Sequence, residues 1–164
     1  MNYTETFSAA AKMPTVCVVL GNTAEEDWEI EHINIKSAYL NAPLKETIYM
    51  KPPQEVLKPG QEGKVCCFLK GLYGLKQAGQ GWYQEMSKVF MKNLGFTHSA
   101  VDHSVFFWRS DEEHTIVTVA TNNMAVTYKH MEDAIKFKSE IKQYWDITDN
   151  GPIQWFLGFE IKHN

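Results

Sequence analysis

The order of apolar and polar residues divides the chain into helical and extended stretches. After Pro14, the apolar Val16, Val19 and Leu20 predict a short helix that leads to Trp28. The stretch "WEIEHINI" (28–35) changes to a two-residue period, with Ile30, His32 and Asn34 set against Glu31, Ile33 and Ile35, as in a strand. "TIYMKPP" (47–53) predicts another strand, stopped by Pro52 and Pro53. Pro59, Gly60 and Gly63 mark 54–63 as a loop, and "KVCCFLK" (64–70) predicts a short strand. Trp82, Met86, Val89, Phe90 and Met91 return to helical spacing, which Gly95 closes with a left-handed cap.

"VFFWRS" (105–110) and "HTIVTVATNNMAVTYKH" (114–130) predict strands. The second folds back at Asn122-Asn123, because asparagine tolerates positive φ in a two-residue turn. Met131, Ala134, Ile135, Ile141, Tyr144 and Trp145 mark one more helix, and "GPIQWFLGFEIKHN" (151–164) ends the chain in strands. The order is helix, strands, helix, hairpin, helix, hairpin. It predicts an α+β fold, with the helices packed on one face of a mostly antiparallel sheet. No repeat or linker interrupts it, so 1–164 reads as one unit.

Composition narrows the class. A chain of 164 residues with 44% hydrophobic and 22% charged residues can build a globular core. The longest N-terminal apolar run, 16–20, is too short for a signal sequence, and no run approaches the roughly 18 residues of a membrane span. An intracellular protein is expected. Three cysteines, Cys17, Cys66 and Cys67, is an odd count, adjacent Cys66 and Cys67 have no metal-ligand spacing, and the place of all three in apolar runs argues against free cysteine chemistry. A formal charge of −4 and a pI near 5.9 lack the basic excess of a strong nucleic-acid binder, although Lys64, Lys70 and Lys76 cluster. Of 16 Lys and Arg residues only Arg109 is an arginine, the residue that grips phosphate best.

Four segments carry a resemblance. "HINIKSAYLNAPL" (32–44), "KGLYGLKQAGQGWYQ" (70–84), "VATNNMAV" (119–126) and "WFLGFEI" (155–161) together resemble, in order and spacing, the reverse transcriptase of copia-type LTR retrotransposons. The likeness extends over nearly the whole chain. It implies a right-hand polymerase palm with part of the fingers, and RNA-directed DNA polymerase ancestry.

The family reaction uses two Mg²⁺ ions held by aspartates at a strand end and a facing hairpin. By motif match these aspartates fall on Asn34, Asn122 and Asn123. Three carboxylates are thereby replaced with neutral amides, so the resemblance implies a pseudoenzyme with no metal cofactor in this copy. Other matched positions are intact. Tyr39 stands at the aromatic that packs beneath the nucleotide sugar, Gln77 at the contact to the incoming nucleotide, and Leu157 and Gly158 at the primer grip. Read alone, each is an ordinary core, surface or strand residue. The implied partner is an RNA/DNA template-primer, held weakly, and no membrane.

His98, His103 and His114 lack metal-ligand spacing, Glu25-Glu26-Asp27 reads as a solvated helix end, and Asp102, Asp111 and Asp146 are scattered. No second carboxylate constellation replaces the lost one. Where family members tend to carry Arg, this chain carries Cys17, Cys67, Gln80, His98, Trp108, His130 and His163. Those losses and the Asp-to-Asn changes are all single C-to-T or G-to-A transitions, which points to decay of an element rather than engineering. "NYTETFSAAAKMP" resembles an internal family segment, so the resemblance implies a chain that lacks the family's basic finger strands before it and the thumb and RNase H regions beyond Asn164. Retention as a nucleic-acid-binding or protein-interaction module, or an unrelated acquired role, is the alternative reading.

Overall fold

A computed structural model of the chain describes residues 10–110 and 114–162. His163, Asp111 and most of the segment 2–14 therefore lie outside the described residues. Ten strands and three α-helices occur among those described. In chain order they are α1 (Met13–Glu25), β1 (Glu29–Ile35), β2 (Tyr49–Met50), β3 (Cys66–Cys67) and α2 (Ala78–Lys88). There follow β4 (Thr97–His98), β5 (Val105–Arg109), β6 (His114–Ala120), β7 (Asn123–Tyr128), α3 (Met131–Ile141), β8 (Ile147–Pro152), β9 (Trp155–Phe156) and β10 (Phe159–Glu160).

Six strands form one sheet in the order β4-β5-β6-β7-β1-β8, antiparallel at every pairing. The central strands are apolar on both faces, because both faces are covered. Ile33, Ile35, Val117, Val119, Met124, Val126 and Phe106 pack with Trp82 and Met86 of α2 and with Ala134, Phe137 and Ile141 of α3. On the opposite face, Ile30, Val105, Ala120 and Ala125 pack with Val16 and Val19 of α1 and with Phe156 of β9. The mixed helix and antiparallel sheet of an α+β fold is present. The expectation of helices on one face is corrected: α1 lies across from α2 and α3. The apolar Ile30 and Ala125, which fall on the second face by the two-residue period, demand that cover.

Several boundaries also move. "TIYMKPP" and "KVCCFLK" each contribute only two strand residues, paired as Tyr49↔Cys67 and Met50↔Cys66 in a small separate sheet. The helix after Gln77 widens into a π-turn over Val89–Asn93 before Gly95, whose φ of 75° is the predicted cap. The helix that begins at Met131 stops at Ile141, with Tyr144 and Trp145 beyond its end. Cys17, Cys66 and Cys67 are all exposed, so the apolar runs around them do not supply the apolar surroundings that argue against cysteine chemistry. Glu25, Glu26 and Asp27 are exposed at the end of α1, as read.

Asp102 has a structural role. Its carboxylate accepts the Lys12 N–H at 2.7 Å and the Ser104 N–H at 3.0 Å, tying the start of α1 to the loop before β5. Burial pushes this carboxyl up, but those hydrogen bonds, one from Thr15 and the Lys12 charge outweigh it, so its pKa lies below the usual carboxylate value. The His98 and His103 rings meet edge to face, with centres 4.5 Å apart. No group of three or more His, Cys, Asp or Glu side chains among the described residues could hold a metal ion. No described helix is long and apolar enough to cross a membrane.

Candidate active site

The β6–β7 hairpin places the site. Ala120 pairs with Asn123, so the two turn residues are Thr121 and Asn122, and Asn123 is already in β7. The turn expected at Asn122-Asn123 is thus displaced by one residue. Thr121 takes the positive φ, at 58°. A β-branched residue there is strained, and the surroundings hold it. The Trp82 indole N–H donates to the Thr121 carbonyl at 2.7 Å, and the Ile35 N–H donates to the Asn122 carbonyl at 2.7 Å. One bond comes from α2 and the other from β1, so the turn is fixed from two sides.

The same pairing register sets Asn34 opposite Asn123. Asn34 Nδ2 donates to Asn123 Oδ1 at 3.0 Å, and Asn123 Nδ2 donates to Asn122 Oδ1 at 3.3 Å. The three asparagines singled out from sequence therefore form one connected cluster. Sequence reasoning missed a fourth member. His32 lies two residues before Asn34, hence on the same strand face, and its Nε2 is 3.0 Å from Asn123 Oδ1. On its other side, His32 Nδ1 is 3.2 Å from Asn150 Nδ2. An amide NH₂ can only donate, so Nδ1 accepts and the proton sits on Nε2, which donates to Asn123. The period-two pattern could have flagged His32. Nothing in the sequence flags Asn150, because a strand irregularity brings it there.

A cavity of about 490 Å³ opens beside this cluster, lined by His32, Thr121, Asn122 and Asn123 on one side and by Trp155, Phe156, Leu157 and Gly158 on the other. Phe156 pairs with Phe159, which makes Leu157 and Gly158 a two-residue turn. Their φ values of 50° and 84° suit a turn that needs positive φ at both central positions. Leu157 and Gly158 thus share one cavity with Asn122 and Asn123. Gln77 does not: it lines a separate cavity of about 300 Å³ with Lys45, Glu46 and Gln84, and its amide reaches Glu46 at 3.4 Å. Tyr39 lines neither, and packs on Tyr73 with ring centres 4.5 Å apart. The chain runs tightly there, since a Cβ on Gly71 would sit 2.6 Å from the Tyr39 carbonyl oxygen.

An ion cluster on the opposite face of β1 from His32 involves Glu31. Glu31 and Asp149 share Lys138 of α3, with Nζ 2.8 Å from Asp149. Burial raises the Asp149 carboxyl, but the hydrogen bond and charge of Lys138 and the Gly151 N–H hold it below its usual value. Burial lowers Lys138, and its hydrogen bonds and charge interactions with Asp149 and Glu31 outweigh this and raise it. Both carboxylates are already engaged by the one ammonium.

Magnesium fits this donor set poorly. It needs several hard oxygens with negative charge among them. Here Asn123 Oδ1 already accepts two N–H groups, and each amide brings an NH₂ along with its oxygen.

Comparison with known proteins places the chain. Over residues 1–164 it matches the family described as reverse transcriptase (RNA-dependent DNA polymerase). It is 33% identical over 162 residues to the retrovirus-related Pol polyprotein from transposon TNT 1-94 of Nicotiana tabacum, covering 98% of this chain and 12% of that polyprotein. It is 30% identical over 168 residues to the corresponding polyprotein from transposon RE2 of Arabidopsis thaliana, covering 99% and 11%. Against the transposon Ty1-MR1 Gag-Pol polyprotein of Saccharomyces cerevisiae the identity is 28% over 162 residues, covering 93% and 8%. No solved structure matches the chain. The chain belongs to the copia-type LTR retrotransposon reverse transcriptases, and it spans about a tenth of the length of these curated relatives.

Proposed function

We propose that this chain is the palm, with part of the fingers, of a copia-type reverse transcriptase, and that this copy does not catalyse nucleotide addition. The observation that carries the reading is the 3.0 Å hydrogen bond from Asn34 to Asn123. Two carboxylates at this spacing would repel each other and call for a cation. Two amides satisfy each other instead. In the family reaction the metal ions activate the attacking hydroxyl and offset charge on the triphosphate. In this chain the Asn122 and Asn123 side-chain oxygens accept N–H groups while Asn34 donates its own, and no step runs through a metal. Leu157 and Gly158, across the cavity, are the proposed primer-contact turn. Tyr39 and Gln77 are the proposed nucleotide-side positions.

Primer extension tests this. A primed homopolymer template with dNTPs and Mg²⁺ or Mn²⁺ gives no product above a control without protein. Extension by highly purified protein that tracks with the chain through chromatography would overturn the inactive reading.

One observation supports weak binding of a template-primer without catalysis. Trp155, on the cavity rim, is 58% exposed, and an exposed ring offers a stacking surface for a base. Salt-sensitive binding to a labelled RNA–DNA hybrid, weakened by Trp155→Ala, is the expected result. Equal binding by the variant removes this reading.

A further inference from the structure

Strand β8 bulges opposite His32. The β1–β8 register passes from Ile33↔Asp149 to Glu31↔Pro152, so the single residue His32 faces two residues, Asn150 and Gly151. These two form the only Asn-Gly dipeptide in the chain. β8 is an edge strand of the sheet, and Asn150 is exposed, so water reaches it. Gly151 has a φ of 67°, and a Cβ built on it would have nothing within 4 Å. Its N–H donates to the Asp149 side chain at 3.1 Å. The nitrogen after Asn150 is thus unscreened by any side chain of its own, and its proton points at a carboxylate.

We propose that Asn150 is a spontaneous deamidation site, and that its conversion removes the donor that orients His32 beside the asparagine cluster. The Gly151 nitrogen loses its proton and attacks Asn150 Cγ. The N–Cγ bond forms, the Cγ–Nδ2 bond breaks, and the amide nitrogen leaves as ammonia with the proton. The five-membered imide then takes up one water, and opens to aspartate or isoaspartate according to which carbonyl is attacked. Nothing is oxidised or reduced.

The other cluster asparagines are built differently. Asn34 precedes the β-branched Ile35, whose N–H is held by the Asn122 carbonyl at 2.7 Å, and Asn122 and Asn123 precede Asn123 and Met124 in the paired strand β7. They remain amides. At 150 the consequence is local and specific. A carboxylate has no N–H to offer His32 Nδ1, so the present 3.2 Å contact ends in its current sense. Isoaspartate also adds a main-chain carbon to the strand that pairs with Glu31 and Ile33.

Ageing the folded protein at neutral and mildly alkaline pH tests this, read by intact mass and peptide mapping. The expected result is a gain of about one dalton on the peptide containing Asn150, faster as pH rises, with isoaspartate exceeding aspartate. Asn34, Asn122 and Asn123 stay unconverted, and Gly151→Ala slows the change several-fold. In unaged protein, Asn150→Asp shifts the ring NMR signals of His32. If Asn150 persists in the folded chain while it converts in urea, the fold protects it and the site is refuted. If it converts but the His32 signals stay where they were, the link to the cluster is refuted.

Discussion

Asn34 and Asn123 face each other across β1 and β7, and Asn34 Nδ2 donates to the Asn123 side-chain oxygen Oδ1 at 3.0 Å. The register that makes this bond also decides what a repaired site would be. It would hold two carboxylates on adjacent strands, with a third at Asn122 in the turn.

Restoring Asn34→Asp, Asn122→Asp and Asn123→Asp together therefore creates a cation site and a repulsion at once. Without metal, the three like charges should lower stability, at about 1.4 kcal/mol for each pKa unit by which they raise one another. Millimolar Mg²⁺ should then raise the melting temperature of the triple variant and leave the unmodified chain unmoved, because a ligand stabilises in proportion to its occupancy. Differential scanning fluorimetry across a Mg²⁺ titration reads both. A saturable Mg²⁺ effect on the unmodified chain would show that the amides coordinate after all.

Lys138 joins α3 to β1 and β8 through Glu31 and Asp149, with Lys138 and Glu31 side chains only 14% and 10% exposed. Replacing it in Lys138→Met strands the buried Glu31 charge and should cost about 3 kcal/mol by urea denaturation. Glu31→Gln in the same background should recover part of that loss. A cost within a few tenths would mean that water already solvates Glu31.

The same ion cluster sets a pH window. The Asp149 pKa is depressed, so its contribution is present above the unfolded value near 3.8 and is lost as pH falls through the lower folded value. The Lys138 pKa is raised, so its contribution is present below the unfolded value near 10.5 and is lost as pH rises through the higher folded value. Denaturation midpoints should stay level between these limits with respect to this pair, and Lys138→Met should flatten both shoulders. Identical profiles for the two proteins would remove the pair as the cause.

Trp82 is fully buried, and its indole holds the strained Thr121 carbonyl at 2.7 Å. Trp82→Phe keeps a ring in the core but leaves that carbonyl without its donor. The expected cost is about 1–3 kcal/mol from the unmet hydrogen bond, with a further loss from the smaller ring. Amide exchange at Asn122 and Asn123 should speed up more than exchange in β5, since the bond restrains the turn. A uniform increase across the sheet would assign the whole effect to packing.

Leu157 sits at a φ of 50° in a turn where side chains are penalised, and it is 40% exposed. Leu157→Gly should relieve about 1–2 kcal/mol of backbone strain, offset in part by the entropy of the added glycine. A small net stabilisation in urea is expected. A clear loss would mean that the Leu157 side chain contributes more through packing than its backbone costs.

The sequence by itself determined the family, the α+β class and the identity of the three neutral positions, because these depend on local order. Residue-type motifs survive at fixed spacing, and the change from helical to two-residue period marks each element. Position-by-position burial followed less well. Alternation along β1 shows that both faces carry apolar residues, but not that α1 covers one and α2 with α3 the other. That assignment depends on where a helix more than a hundred residues away in the chain comes to rest. The turn lies one residue earlier than the asparagine pair implies, because Thr121 adopts a conformation its own side chain disfavours, with bonds from Trp82 to Thr121 and from Ile35 to Asn122 bracing the turn. The cluster itself required the tertiary structure. Asn34, Asn122 and Asn123 meet through strand register, whereas His32 gains Asn150 through a bulge that no local pattern signals. Pairing register and bulges are settled by which strands become neighbours, so chemistry built across strands is legible only once the sheet has formed.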